Sequence, residues 1–355
     1  MLRLAALTRI EGLPIIGVFL VLIVVFVLAA PNVFLGYRIY MSFLASVPPQ
    51  LVLALGLTLV IAAGEIDLSF PAIVAFSGFL FAWLFKSYEL TWLAVLVALA
   101  GGALVGFING LIIAVIGIPS IIATLATQFF WSGITTVLTG GLSYNIRTVD
   151  DYAVWSVFVG RLGVVPVQAL WATALAILLW FILNRHRFGE HILFIGDNRR
   201  VAEVVGINVV HEKVKLFTLM GVCAAFAAVL LTLENKNFFN TQGSGFLLVV
   251  MAAVFIGGTS IFGGQGSIVG SYVGAFIIGM IEAGLVATGM QGFWVRAVVG
   301  LVFLAAVIFH LAMEQPERIA RLRQALWPGA QPQHVPADQA QASASDPPRQ
   351  AERKA

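Results

Sequence analysis

An all-α polytopic membrane protein is the fold class this sequence predicts, and three observations predict it. Of its 355 residues, 60% are hydrophobic and only 10% are charged, whereas a soluble domain is about a quarter charged. Apolar runs long enough to cross a hydrocarbon core of about 30 Å recur along the whole chain. Lysine and arginine gather beside those runs and form no patch with interleaved aromatics. Lipid is therefore the expected solvent for much of the surface, and nucleic acid is not an expected partner.

Reading by span length gives ten candidate transmembrane segments, at 13–30, 41–63, 67–86, 91–116, 118–139, 164–183, 214–233, 246–262, 268–289 and 292–313. The first follows Arg3 and Arg9 and resembles a signal peptide with Ala29-Ala30 as its cleavage site. Its run exceeds the usual apolar region of about 7–15 residues, so a retained helix is expected. The second carries Pro48-Pro49 near its start. The fourth contains Gly102, Gly106 and Gly110, and Gly266, Gly270 and Gly274 lead into the ninth. Such ridges let helix backbones approach closely in lipid, so both are read as bundle scaffold. The seventh holds the single cysteine, Cys223, a buried small hydrophobe by context that leaves no intramolecular disulfide. The eighth is short and bounded by glycine, which suits a broken or re-entrant segment.

Basic residues set the orientation. With both termini in the cytosol, the inner segments hold Arg3 and Arg9, a central set (Arg185, Arg187, Arg199, Arg200, Lys213, Lys215) and a C-terminal set (Arg318, Arg321, Arg323, Arg349, Arg353, Lys354). The outer side receives Arg38, Lys86, Arg147, Arg161, Lys236 and Arg296, a positive-inside bias. The outer loop 140–163 is neutral and the inner loop 184–213 is basic. Residues 1–327 read as one membrane domain, and 328–355, rich in Pro, Gln, Ala and Ser, as a cytosolic tail that is disordered by composition.

Two glycine-interrupted turns occupy corresponding places if spans 2–5 repeat as spans 7–10: GLTLVIAAGEIDLSFP (56–71) and MAAVFIGGTSIFGGQGS (251–267). Interrupted helices at matched positions in two halves mark transporter cores. Catalytic chemistry is not expected. No lysine follows a glycine, so the chain has no phosphate loop of its own; there is no HExxH, and the five histidines are scattered. Glu65, Asp67 and Glu282 lack an evident nucleophile or base partner. No cofactor or metal is called for.

In the inner loop, Asp197 or Asn198 suits a helix cap and Gly206 a stop. The turn between them presents Val201, Ala202 and Val205 as a small apolar knob amid Arg199, Arg200 and Glu203, a shape suited to docking in a partner's cleft or to lying at the membrane surface.

Four blocks give this pattern a family resemblance. GLTLVIAAGEIDLS (56–69), GFINGLIIAVIGIPSIIATLAT (106–127), IGDNRRVAEVVGINV (195–209) and AAVFIGGTSIFGGQGSIVG (252–270) are similar, in order, to segments of the permease subunits of carbohydrate-uptake ABC transporters of the ribose, xylose and galactose type. The resemblance covers roughly residues 50–310. It implies a bacterial inner-membrane permease, homodimeric or heterodimeric, with a cytosolic ABC ATPase subunit and an extracytoplasmic solute-binding protein as partners and a small sugar-like solute as cargo. It also implies that residues 197–206 dock on the ATPase. Glu65, Phe70-Pro71, Leu247, Val249 and Ala283 depart from the family pattern near the candidate pathway.

Intramembrane polar groups are the pathway candidates, because charge at mid-bilayer costs at least about 2.5–3.5 kcal/mol and faces protein or water. Glu65 and Asp67 either cap the third span with Ser69 or line the path. Asn109, Thr124, Thr127 and Gln128 either donate to a polyhydroxy solute or bond between helices. Glu282 is a pathway carboxylate or a partner for Arg296. The reading is thus a permease working by alternating access; its rivals are the related importers of branched-chain amino acids or nucleosides, and an ion-coupled secondary transporter using Asp67 or Glu282.

Overall fold

The computed structural model describes residues 12–314. Helices dominate them: α1 (Leu13–Ala29), α2 (Pro31–Phe34), α3 (Tyr37–Ser46), α4 (Pro48–Ala62), α5 (Phe70–Tyr88), α6 (Thr91–Leu111), α7 (Ser120–Thr139), α8 (Ala153–Val159), α9 (Val167–Arg185), α10 (Arg187–Asp197), α11 (Arg199–Val204), α12 (Val209–Asn235), α13 (Phe246–Ile256), α14 (Ile268–Ala287) and α15 (Phe293–Glu314). The chain divides into compact units at residues 1–310 and 311–355; of the second, only the end of α15 is described. The predicted tail, its boundary at 327/328 and the terminal basic residues lie outside the described residues.

Each of the ten predicted spans falls on a helix, but length divides them. Six are long and apolar enough to cross a membrane: α5, α6 with the π-turn Ile112–Ile116 that extends it, α7, α9, α12 and α14. The pair α3 and α4, bent by 52° at Val47, meets the same criterion only when taken together, as a broken span or a re-entrant loop. The proline pair explains the bend: Pro48 and Pro49 have no N–H to continue α3, yet suit the first turn of a new helix. The apolar stretches Pro14–Ala29, Phe246–Ile256 and Phe293–Phe309 are shorter. In α13 the cause is Gly257-Gly258, where a left-handed Gly258 (φ 86°) turns the chain out of the helix.

Helix α4 is the centre. Every one of its residues except Gln50 is buried, as an all-apolar helix requires, among α9, α12, α13 and α14. Both glycine ridges are contact surfaces. A Cβ on Gly106 would lie 2.2 Å from the Phe217 carbonyl oxygen of α12, and one on Gly270 would lie 1.8 Å from the Gly257 oxygen. Only glycine permits these approaches, which supply packing in lipid where hydrophobicity does not drive helices together. The predicted neutral loop 140–163 contains a 3₁₀ turn (Arg147–Asp151) and α8. Its Tyr144–Asn145 pairs antiparallel with Asn237–Phe238, and a second two-residue ladder joins Arg161–Leu162 to Val165–Pro166. Both ladders are too short to change the all-helical class.

Candidate translocation and coupling sites

The first helix break, residues 63–69 between α4 and α5, is held by side chains. Asp67 is fully buried, and its Oδ1 accepts hydrogen bonds from the Ser69 N–H at 2.7 Å and the Ser69 hydroxyl at 2.6 Å. Asn109 of α6 donates from Nδ2 to Ser69 Oγ at 2.7 Å. Helix α7 supplies the rest. Ser120 Oγ accepts from Ile66 N at 3.2 Å, Thr124 Oγ1 from Leu68 N at 3.0 Å, and Gln128 Oε1 from Ala72 N at 2.9 Å. The spacing i, i+4, i+8 puts all three acceptors on one helical stripe; Ser120 and Thr124 meet N–H groups of the break that no helix satisfies, and Gln128 shares the Ala72 N–H with the Ser69 carbonyl.

Five predicted pathway residues, Asp67, Ser69, Asn109, Thr124 and Gln128, thus form one connected node. Thr127 stands apart and donates to its own helix at the Thr124 carbonyl, 3.2 Å away. The Ser69 part of the capping expectation needs correction: its side chain makes no cap bond to α5, since its backbone is helical (φ −88°, ψ −15°) and its hydroxyl oxygen accepts from Asn109. Asp67 Oδ2 and Asn109 Oδ1 are buried without a hydrogen-bond partner among the described residues.

Glu65 points elsewhere. Its carboxylate accepts from the ammonium of Lys213, and both side chains are largely buried. The pairing explains how an acid is tolerated at this break, and it removes Lys213 from the free basic set of the inner loop. Beside it, Glu212 faces His191 at 3.1 Å and Lys215 at 3.4 Å. Sequence reasoning missed the Glu65–Lys213 pair because 148 residues separate the partners. It also missed Ser120, whose signal was its stripe with Thr124 and Gln128.

Glu282 and Arg296 line one cavity of about 440 Å³ with Ser244, Leu247, Val249 and Val299. They form no ion pair within 4.0 Å, so the pairing alternative is not realised in this structure. Two of the departures from the family pattern, Leu247 and Val249, line this same space.

Residues 187–204 form two short helices, α10 and α11. Of the two possible caps, Asn198 is the one used: its Oδ1 accepts from Arg200 N at 3.1 Å and Val201 N at 3.2 Å, while Asp197 ends α10. Gly206 (φ 90°) stops α11, with Ile207 N bonding back to the Ala202 carbonyl at 3.0 Å. Arg199 pairs with Glu203 one turn on, at 3.0 Å and well exposed. The predicted knob is corrected in one residue. Ala202 is fully buried against Ile195, Ile207 and Val209, since α11 packs onto the end of α10 and the start of α12. Val204, at 86% exposure, joins Val201 and Val205 as the outward apolar set.

Comparison with known proteins gives these features a context. Residues 39–307 match the family described as branched-chain amino acid transport system / permease component. The chain is 35% identical over 295 residues to the ribose import permease protein RbsC of Bacillus subtilis (strain 168), covering 83% of this chain and 91% of that one. It is 32% identical over 291 residues to RbsC of Escherichia coli (strain K12), with 81% and 90% covered. To the fructose import permease protein FrcC of Rhizobium meliloti it is 31% identical over 299 residues, with 81% and 82% covered. No solved structure matches the chain.

Proposed function

The chain belongs to the permease family described as branched-chain amino acid transport system / permease component, and from that premise we propose that it is the membrane-spanning subunit of an ATP-driven, binding-protein-dependent importer that moves a sugar or sugar-like small solute by alternating access. The observation that carries the reading is the near full-length similarity to ribose and fructose import permeases. The chain itself performs no chemistry in this scheme. ATP hydrolysis belongs to a cytosolic ABC ATPase, solute selection to an extracytoplasmic binding protein, and a second permease copy or a related permease completes the path. All ten apolar segments span the bacterial inner membrane, the short ones included, with both termini and residues 184–213 in the cytosol; the basic-residue asymmetry supports this.

The ATPase docks on α11 and its flanks, residues 197–206. Val201, Val204 and Val205 enter the partner's cleft; Arg199, Arg200 and Glu203 orient the contact at its rim. Asp197, Asn198, Ala202 and Gly206 shape the segment from within. On the translocation path, Glu282 lines the cavity it shares with Arg296, and the polar node of Asp67, Ser69, Asn109, Thr124 and Gln128, with Glu65 and Thr127 nearby in the chain, forms the inner gate.

The test is uptake of labelled ribose, fructose and a branched-chain amino acid into proteoliposomes. Uptake of a sugar should require ATP, the ATPase subunit and the binding protein together. Accumulation by the chain alone under an ion gradient would refute the ATP-driven class, and preference for the amino acid would move the cargo to the related importers. Docking is tested by Val204→Glu, which places a charge in the contact at a cost of several kcal/mol if unpaired and should abolish co-purification of the ATPase without disturbing the fold.

A further inference from the structure

The two helix breaks and the ATPase-facing segment touch one another backbone to backbone at a cluster of glycines. Gly196 lies in the last turn of α10, immediately before Asp197. A Cβ there would fall 2.0 Å from the Ala62 carbonyl oxygen at the end of α4 and 2.5 Å from Gly264 N in the second break. Gly264 N in turn donates to the Ala62 oxygen at 2.8 Å. A Cβ on Gly263 would lie 2.8 Å from Gly64 Cα and 2.9 Å from the Gly196 oxygen, and one on Gly264 would lie 3.1 Å from Asp197 Cα. Gly64, Gly263 and Gly264 all hold left-handed backbone, with φ of 74°, 84° and 76°, which only glycine adopts cheaply. Three chain segments far apart in sequence therefore meet with backbone against backbone at Gly196, Gly263 and Gly264.

Side chains that separate two segments let them slide or repack, whereas backbone in van der Waals contact and hydrogen-bonded transmits displacement directly. We propose that Gly196, Gly263 and Gly264 form a clasp that makes the ATPase-facing segment and both membrane breaks move as one body. Gly196 is on this reading a positioning residue for energy coupling, distinct from the valines that dock. The inference rests on the proposed ATPase partnership. One inward or outward displacement of α10 then shifts the end of α4 and the α13–α14 turn together, so both halves of the path respond to a single event at the ATPase.

The test uses the permease–ATPase complex in lipid, with Cys223→Ala as background and Phe262→Cys, exposed in the second break, as reporter. Maleimide labelling at position 262 should change on ATP binding. Gly196→Ala pries the clasp open, so the ATPase should still co-purify while the ATP-dependent change in labelling is lost. Persistence of that change in Gly196→Ala, or its absence in the unmodified complex, overturns the proposal. So does loss of the ATPase in Gly196→Ala only, which would make Gly196 part of docking. Failure of the ATPase to bind any version would instead strike the function proposed above. A second variant decides the matter if Gly196→Ala does not assemble. A Cβ on Gly266 would lie 3.0 Å from Ala62 Cβ, so Ala62→Cys with Gly266→Cys is within small adjustment of disulfide geometry. A clasp that moves as one body predicts that the disulfide forms and ATP hydrolysis continues undiminished. No disulfide, or arrest relieved by reductant, overturns it.

Discussion

The two helix breaks, one in each half of the chain, are held to their surroundings by different means. The break between α4 and α5 is held by side chains: Asp67 and Asn109 fix Ser69, and Ser120, Thr124 and Gln128 of α7 accept the backbone N–H groups. The break between α13 and α14 combines backbone bonds with short-range caps. Ser260 N bonds to the Gln265 carbonyl at 3.2 Å and Gly264 N to Ala62, while Ser260 Oγ accepts from Phe262 N at 3.2 Å, Thr259 Oγ1 from Ser267 N at 3.4 Å and Ser267 Oγ from Gly270 N at 2.8 Å. The first break is therefore bound to a neighbouring helix through specific polar groups, where each loss is graded. The second uses side chains only from its own segment and meets its neighbours through glycine, and a Cβ at Gly257, Gly263 or Gly270 would collide with backbone.

That contrast is most exposed to test at the second break. Gly270→Leu forces a side chain into the Gly257 carbonyl of α13, and with backbone on both sides neither helix has a rotamer to yield. Stability should fall by more than about 3 kcal/mol, read as loss of monodisperse protein and a collapsed thermal midpoint in detergent. A well-folded variant would show that α13 and α14 separate readily.

At the first break the response should be large but conditional on chemistry. Asp67→Ala leaves the Ser69 N–H and hydroxyl without an acceptor, at about 1–3 kcal/mol for each group. Asp67→Asn keeps an oxygen in the same place, and most of the thermal midpoint should return. Equal damage from both variants would mean that the carboxylate's charge, not its acceptor geometry, holds the break.

A smaller, single-bond loss is expected on α7. Thr124→Val preserves shape and leaves the Leu68 N–H without its acceptor, at about 1 kcal/mol, and Gln128→Leu should cost less, because Ala72 N keeps its bond to the Ser69 carbonyl. Measured together, the two should add, because they serve different backbone groups. Strong non-additivity would mean that residues 66–72 give way as a unit.

The smallest effect belongs on the outer surface, away from both breaks. Lys236 donates to Asp150, and this bond lowers the Asp150 carboxyl below its ordinary range. A carboxylate depressed in the folded state adds stability above its unfolded pKa of about 3.9 and loses it as pH falls through the folded value. Asp150→Asn should therefore leave the thermal midpoint near pH 7 almost unchanged, since exposed pairs contribute little. Whatever difference exists should vanish in strong acid.

The sequence by itself determined the membrane class, the place of each long apolar helix and the identity of the interruptions, but not the short helices α2, α8 and α10. Those properties are local: span length and apolar content act within one segment, and Pro48-Pro49, Gly206 and Gly257-Gly258 bend or stop a helix through their own backbone chemistry. The Asn198 cap was legible for the same reason. Partnerships were not. Glu65 meets Lys213 across 148 residues, Ala202 turns inward because α10 and α12 close over it, and Gly196 reaches both breaks only when three distant segments converge. Sequence pattern reports which faces are apolar or small, and leaves open which neighbour each face meets. That choice belongs to the tertiary structure, because in lipid every helix has an apolar surface, and steric fit between backbones rather than burial from water decides which helices touch.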